Sequence, residues 1–227
     1  MTLSGELPIV NHETIIASVD RETAALLSSL LGGFLEIDLQ GQPVLDEFTG
    51  GHVLTYLARE ADRMADELLA ATGRPVPPLD ADRRWDVEQG GLRPGAVLIE
   101  DFVEASSRLT DAMEGVHDWS TLNATVSEIP GGRLVQLLVH HADLNRPWDS
   151  VPEQDARMAL SQLPTIMPTE LGDIRLVARS GQAPIVIHPN LVQTVIEGDP
   201  RALLSWASGR GDSTDANLPP ISRRVWF

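Results

Sequence analysis

The sequence predicts an α+β protein in which a four-helix bundle over residues 1–149 is followed by a small α+β domain over residues 150–227. Three observations lead to this fold class. Apolar residues recur at helical spacing in four long stretches of the first part, which is typical of a helical bundle. The second part contains short runs rich in β-branched residues. The polar segment RPWDSVP, with its two prolines, joins the two parts.

Each predicted bundle helix has an apolar face and a residue that ends it. In the first helix, Ile15, Val19 and Leu26 lie on one face, and Gly32 and Gly33 supply the stop. The second helix ends at a glycine and the fourth is closed by a proline. The four predicted helical stretches are residues 12–31, 50–73, 96–115 and 131–148.

The connection between the second and third helices is long and unusual in composition. Residues 73–95 are dense in proline, glycine and charge, so the sequence predicts a loop without a regular element. A loop of this length inside a compact domain is often a lid or a binding segment, and a plain surface excursion is an equally open alternative.

The C-terminal part is predicted to contain a short helix and three strands. Gly181 and Gln182 separate the first two strands, which favours a hairpin, and Pro184 indicates that the second strand lies at an edge. The short helix and the three strands are predicted over residues 152–163, 174–180, 183–189 and 191–199.

A last helix is predicted directly after the third strand. Asp199 is suited to the N-cap and Pro200 to the first helical position, and Gly209 or Gly211 ends the helix. The predicted small domain therefore ends in a helix, followed by a glycine-rich turn that carries Arg210.

Charge and cysteine content exclude several classes of function. With 17 Lys and Arg against 33 Asp and Glu, the formal net charge of −16 argues against nucleic acid and anionic membranes as partners. The chain has no cysteine, so thiol chemistry would need a sulfur from another molecule. The N-terminus lacks the features of a signal peptide, and no apolar stretch reaches the ~20 residues of a membrane span. A cytoplasmic location is therefore expected.

The fourth helix carries the only adjacent histidine pair, His140 and His141, and an amide one turn earlier at Gln136. Residues four apart share a helix face, so Gln136 and His140 point together, whereas His141 is rotated by roughly 100°. Helical bundles build metal sites from such pairs and a ligand on a facing helix, and His52 is the candidate for that ligand. The spacing alone leaves open that these histidines are ordinary core residues.

Three short motifs, taken in their order along the chain, carry a resemblance to a known family. They are FTGGHVLTYLARE at the start of the second helix, VHHADL at the end of the fourth and WASGRGD near the C-terminus. Together they resemble the mycothiol-dependent maleylpyruvate isomerase family. The resemblance covers nearly the whole chain, and it implies a DinB-like metal-binding four-helix bundle followed by a sterol-carrier-like α+β domain.

The resemblance implies a zinc ion held by His52, His140 and the residue at position 136. The family has a glutamate there, whereas this chain has Gln136, and a neutral amide is a weaker donor to a divalent cation. Three outcomes are open: a working His-Gln-His site, a site rescued by Glu60 or Asp143, or a chain that has lost its metal. The first is the outcome we expect.

The resemblance also implies that Arg210 reaches from the small domain to the metal cleft and assists with the thiol or with substrate carboxylates. A solvated arginine at a helix end is the alternative that the sequence alone would favour. The implied cofactors are zinc and mycothiol. The metal favours the thiolate, which adds to the double bond of a maleylpyruvate-like cis substrate; rotation and elimination then give the trans isomer.

Two further functions remain open from the sequence. A mycothiol S-transferase would use the same activated sulfur but stop after addition to the electrophile. The third hypothesis is a metal-free protein that binds small ligands or responds to stress. The glutamine at position 136 supports this hypothesis, because the family has a glutamate ligand there. For either enzyme, the expected partners are a small electrophilic substrate and a low-molecular-weight thiol.

Overall fold

The structure is a computed structural model and describes residues 11–33, 39–41, 43–44, 48–76, 83–166, 174–178 and 194–211. Within these residues the chain forms α-helices and one pair of strands, with 3-10 turns at Trp119–Thr121 and Trp148–Ser150. The elements in chain order are α1 (His12–Gly33), α2 (Gly50–Ala71), α3 (Arg83–Gly90), α4 (Gly95–Glu114), α5 (Ala124–Ser127), α6 (Ile129–Asp143), α7 (Glu153–Ile166), β1 (Ile174–Ala178), β2 (Thr194–Gly198) and α8 (Pro200–Ala207).

The four long helices α1, α2, α4 and α6 form the predicted bundle. Helix α2 packs chiefly against α4, and α1 packs chiefly against α6, while α2 also meets α6. Fully buried side chains, among them Leu54, Leu57, Phe102 and Leu138, fill the space between the helices. The predicted α+β fold class, with its N-terminal helical bundle, is confirmed. Among the described residues, no helix is both long and apolar enough to cross a membrane.

The prediction that residues 73–95 contain no regular element is wrong. Helix α3 occupies Arg83–Gly90, and the chain turns at Gly90 and Gly91 before α4 begins. The prolines of this segment all lie before residue 79 or after residue 93, so none interrupts the helical hydrogen bonds of α3. The prolines and charges at both ends of residues 73–95 led to the prediction of a loop, although the middle of the segment forms an eight-residue helix.

The helix predicted over residues 152–163 is confirmed as α7, which runs three residues further, to Ile166. It packs against α6 of the bundle and against α8 near the C-terminus. Gly131 at the start of α6 allows this close approach, because a Cβ there would lie 2.3 Å from Oε1 of Gln162. The predicted division into units at residues 149 and 150 remains a prediction.

The first and third predicted strands are confirmed as β1 and β2, and they pair in parallel with Ile174 opposite Thr194. The predicted second strand, residues 183–189, lies outside the described residues. The N-cap prediction for the last helix is also confirmed, because the Asp199 side chain accepts the backbone N–H of Arg201 at 2.9 Å. Gly209 closes that helix with a φ of 71°, a left-handed conformation that favours glycine.

Two buried carboxylates join α1 to α7 and to the segment that precedes it. Glu22 on α1 forms an ion pair with Arg146, and Asp155 on α7 forms one with Arg21. Burial raises the pKa of Glu22, and its hydrogen-bonded neighbour Asp155 acts in the same direction, whereas Arg146 lowers it. The bundle and α7 are therefore connected by a charged cluster as well as by apolar packing.

Candidate functional site

The first candidate ligand, His52, lies in the first turn of α2 and completes the N-terminal cap of that helix. Thr49 precedes the helix, and its backbone N–H donates to Nδ1 of His52 at 3.2 Å. The Thr49 hydroxyl lies 2.8 Å from the same nitrogen. The imidazole therefore takes the place that a glutamate or glutamine side chain fills in an ordinary capping box.

The imidazole of His52 is also covered by the chain that follows α3. It donates a hydrogen bond to the backbone carbonyl of Glu88, and burial lowers its pKa more than this bond raises it. Gly91 packs on the ring so closely that a Cβ there would lie 2.6 Å from both Cγ and Cδ2. Since Nδ1 accepts from Thr49, the proton of neutral His52 is on Nε2.

The predicted face of α6 meets α2 at Tyr56 and Glu60, in the two turns that follow His52. Nε2 of Gln136 lies 3.3 Å from the hydroxyl of Tyr56 and 3.3 Å from Oε2 of Glu60. The ring of Tyr56 meets the ring of His140 edge to face, with centroids 5.2 Å apart. The structure thus brings Gln136 and His140 together against α2, one turn beyond His52.

His140 is completely buried, and a carboxylate holds its ring. Nδ1 of His140 lies 2.9 Å from Oδ2 of Asp143, and a carboxylate can only accept, so Nδ1 carries the proton. Burial lowers the pKa of His140, although the hydrogen bond to Asp143 acts in the opposite direction. In the neutral ring Nε2 is the nitrogen with the lone pair, which is the state that a metal ligand requires.

Arg210 reaches this histidine through the same carboxylate. Its Nε lies 2.9 Å from Oδ1 of Asp143 and its Nη2 lies 2.8 Å from Oδ2, while Nη1 donates to the carbonyl of Ser208 at 2.6 Å. The side chains of the pair are 3% and 0% exposed. Burial acts to raise the pKa of Asp143, but hydrogen bonds from His140 and Arg210 outweigh it and hold the pKa below its ordinary value.

Neither of two other histidines lies in this site. His141 is buried on another face of α6, where its Nε2 is 2.9 Å from Oγ of Ser29. Burial and the neighbouring Arg146 lower its pKa to about 4. His12 stacks on Trp119 at the far end of the bundle, with centroids 4.7 Å apart. Both histidines therefore pack away from the candidate site.

The donor set can be compared with what a divalent metal requires. Among the described residues, no three His, Asp or Glu side chains form a cluster that could hold a metal ion. The predicted set contains two histidines, and its third donor is Oε1 of Gln136, which is buried without a hydrogen-bond partner among the described residues. This orphan oxygen and the lone pair of His140 have the donor chemistry that a cation requires, whereas the ring of His52 contacts Thr49, Gly91 and the carbonyl of Glu88.

Tyr56, Glu88 and Thr49 are contributors that the sequence analysis did not identify. One of them had a signal: Tyr56 is four residues after His52, and Glu60 is four residues further, so all three share a face of α2. The other two act through backbone groups or through the cap, and no side-chain pattern indicates a backbone carbonyl.

Known proteins agree with this architecture. The family described as mycothiol maleylpyruvate isomerase N-terminal domain matches residues 20–145, which is more than half of the chain. A crystal structure of the mycothiol-dependent maleylpyruvate isomerase is 19% identical with a TM-score of 0.73, and the match covers 95% of this chain and 98% of that one. A histidine-to-alanine variant of that enzyme gives a TM-score of 0.72 at 19% identity and the same coverage. No curated protein is a significant match to the sequence. The chain belongs to the mycothiol maleylpyruvate isomerase N-terminal domain family.

Proposed function

We propose that this protein is a mycothiol-dependent cis–trans isomerase of maleylpyruvate-like substrates, with zinc at His52, Gln136 and His140. Membership of the family and the likeness over 95% of the chain to an isomerase support this proposal. The observation that carries it is the buried series of hydrogen bonds from His140 through Asp143 to Arg210. These bonds join the candidate metal ligand to a guanidinium from the C-terminal segment.

The bound groups would supply the electrophilic and nucleophilic chemistry: zinc favours the thiolate of mycothiol, whose reversible addition to the activated double bond permits rotation to the trans isomer. The residues of the chain orient the metal ligands and exclude water from the site. Asp143 keeps the proton of His140 on Nδ1, so the lone pair of the neutral ring is on Nε2. The half-buried ring of Tyr56 covers His140 on one side.

We assign Arg210 to the anionic groups of the thiol or substrate. A guanidinium has five N–H donors, and the bonds to Asp143 and Ser208 use three of them. Because Arg210 and His140 both bond Oδ2 of Asp143, the guanidinium lies beside the imidazole. The remaining donors can therefore hold a carboxylate next to the ligand.

One observation favours a second candidate, a metal-free protein that binds small ligands. His52 has hydrogen bonds on both sides of its ring, from Thr49 and to Glu88, and position 136 lacks a carboxylate. If the ring keeps the contact to Glu88, the cation has no third ligand.

Metal analysis combined with product analysis tests the proposal on the purified full-length chain. We expect a bound divalent metal in the wild type, none in His52→Ala, and conversion of maleylpyruvate to the trans isomer only with mycothiol present. Accumulation of a thiol adduct without isomerisation would identify an S-transferase. No metal, even at micromolar free zinc, together with no thiol-dependent turnover, would replace the isomerase by the binding protein.

A further inference from the structure

The amide of Gln136 is held in one orientation by an acidic neighbour on the facing helix. Its Nε2 lies 3.3 Å from Oε2 of Glu60 and 3.3 Å from the hydroxyl of Tyr56. A carboxylate can only accept hydrogen bonds, so the N–H₂ end of the amide must face Glu60. Rotation of the amide would bring its oxygen against the carboxylate, which is unfavourable. Oε1 therefore points away from Glu60.

That oxygen has no hydrogen-bond partner among the described residues, although it is buried. A buried carbonyl without a partner is costly, and folded proteins rarely retain one without a ligand, a water molecule or a catalytic reason. Glu60 thus enforces an arrangement that is unfavourable by itself but leaves one oxygen donor on the same face of α6 as His140.

Glu60 is itself fixed by a salt bridge. Its Oε2 lies 2.8 Å from Nη2 of Arg63, one turn along α2, and the side chain of Glu60 is 20% exposed. Arg63 also bonds Glu67 in the next turn. The carboxylate is therefore held at the edge of the site, close enough to orient Gln136.

The two candidate metal ligands on α6 are therefore each hydrogen-bonded to a carboxylate. Nδ1 of His140 donates to Asp143, and Nε2 of Gln136 donates to Glu60. A carboxylate that accepts from a metal ligand increases the electron density of that ligand and fixes its direction. An amide supported in this way partly replaces the charge that a glutamate at position 136 would supply directly.

We propose that Glu60 is the positioning residue that makes Gln136 a metal ligand, by turning Oε1 inward and supplying negative charge through the amide. This inference rests on the proposed function, since it assumes a cation at Gln136 and His140. It also explains how this chain can depart from the glutamate of its family at position 136 and keep the site.

A charge-exchange series tests the inference through metal affinity and does not depend on turnover. Wild type, Glu60→Gln, Gln136→Glu and the double variant are titrated with Co²⁺ and Zn²⁺ against a chelator, and the Co²⁺ absorption spectrum reports the donor set. Glu60→Gln is expected to weaken binding about 10- to 100-fold in the wild-type background. In the Gln136→Glu background the same substitution is expected not to weaken binding, because it removes repulsion between two facing carboxylates.

This reversal distinguishes positioning from a merely structural role, which would change the affinity equally in both backgrounds. Glu67→Gln is the matched control, because it removes a charge from the same Arg63 without touching Gln136; its affinity should equal that of the wild type. Thermal unfolding without metal checks that each variant folds. If the wild type binds metal and Glu60→Gln binds it equally well, only this inference fails. If the wild type binds no metal, the metal site of the proposed function fails with it.

Discussion

The two histidines of the candidate site lie on facing helices, and their surroundings hold them in opposite states. His140 is completely buried, and Asp143 accepts the proton on its Nδ1. His52 is only partly buried, its Nδ1 accepts from Thr49, and its ring donates to the carbonyl of Glu88. The neutral rings therefore carry their protons on different nitrogens.

In the proposed metal site, the ring of His140 already has the tautomer that a metal ligand needs, whereas the ring of His52 does not. Binding at Nε2 of His140 needs no movement of a proton. Binding at Nε2 of His52 requires the ring to release Glu88 and to carry its proton on Nδ1. The Thr49 hydroxyl can then accept a hydrogen bond from that N–H group. If the proposed site binds a metal, the contacts that hold His52 would lower its affinity.

The largest effect is expected from breaking the buried pair that holds His140. Asp143→Ala leaves the guanidinium of Arg210 buried without its carboxylate, which should reduce the free energy of unfolding by about 3–5 kcal/mol. Urea denaturation measures this change. Glu67→Ala is the control, because it removes one partner of a pair near the surface, and about 0.5 kcal/mol is expected. Equal losses in the two variants would contradict the contrast between the buried and exposed pairs.

A substitution at Gly91 can weaken the contacts that hold the ring of His52. In Gly91→Ala the new Cβ would lie 2.6 Å from the ring of His52 and 2.9 Å from its Cα, so the turn must move and the contact to Glu88 should weaken. A loss of about 1–3 kcal/mol is expected from such overpacking. The tautomer of His52, measured by ¹⁵N NMR, should shift away from the Nε2-protonated form.

Gly32→Ala is the matched control for this substitution, since a Cβ at that glycine meets nothing within 4 Å. Its stability should be unchanged or slightly higher, as helix propensity predicts. A ring of His52 that keeps its tautomer in Gly91→Ala would show that the turn does not hold it.

A smaller effect is expected at the cap of α2. Thr49→Ala removes the hydroxyl that lies 2.8 Å from Nδ1 of His52, and the loss of an N-cap side chain costs about 1 kcal/mol. Thr49→Ser keeps the hydroxyl and should retain most of the stability. Thermal unfolding of the two variants measures the difference, and similar losses in both would mean that the methyl group, rather than the hydroxyl, is what matters.

The smallest effect concerns Glu22, a buried carboxylate that differs from Asp143 in the direction of its pKa shift. Burial raises the pKa of Glu22 above its ordinary value of 4.5, so its stabilising contribution is present at low pH and is lost as the pH rises through the raised pKa. Relative to Glu22→Gln, the wild type should therefore lose stability as the pH increases from 4.5. Glu104→Gln, at an exposed position, is the control for loss of one charge. A constant difference across this pH range would contradict the raised pKa.

The sequence determined the parts of this protein that depend on local spacing. Helical periodicity located the four bundle helices, and a separation of four residues placed Gln136 and His140 on one face of α6. The N-cap at Asp199 followed from one side chain and the adjacent proline. Helix α3 was missed because the prolines and charges around it dominate the composition of that segment.

The tertiary structure decided what depends on residues far apart in the chain. Arg210 and Asp143 are 67 positions apart, and Gln136 and Glu60 are 76 apart, so only the packing of helices brings them together. The state of His52 depends on a backbone carbonyl at Glu88, which every residue possesses and no sequence pattern marks. Local spacing fixes which side chains share a face, but the protonation and partners of those side chains are set by the neighbours that packing supplies.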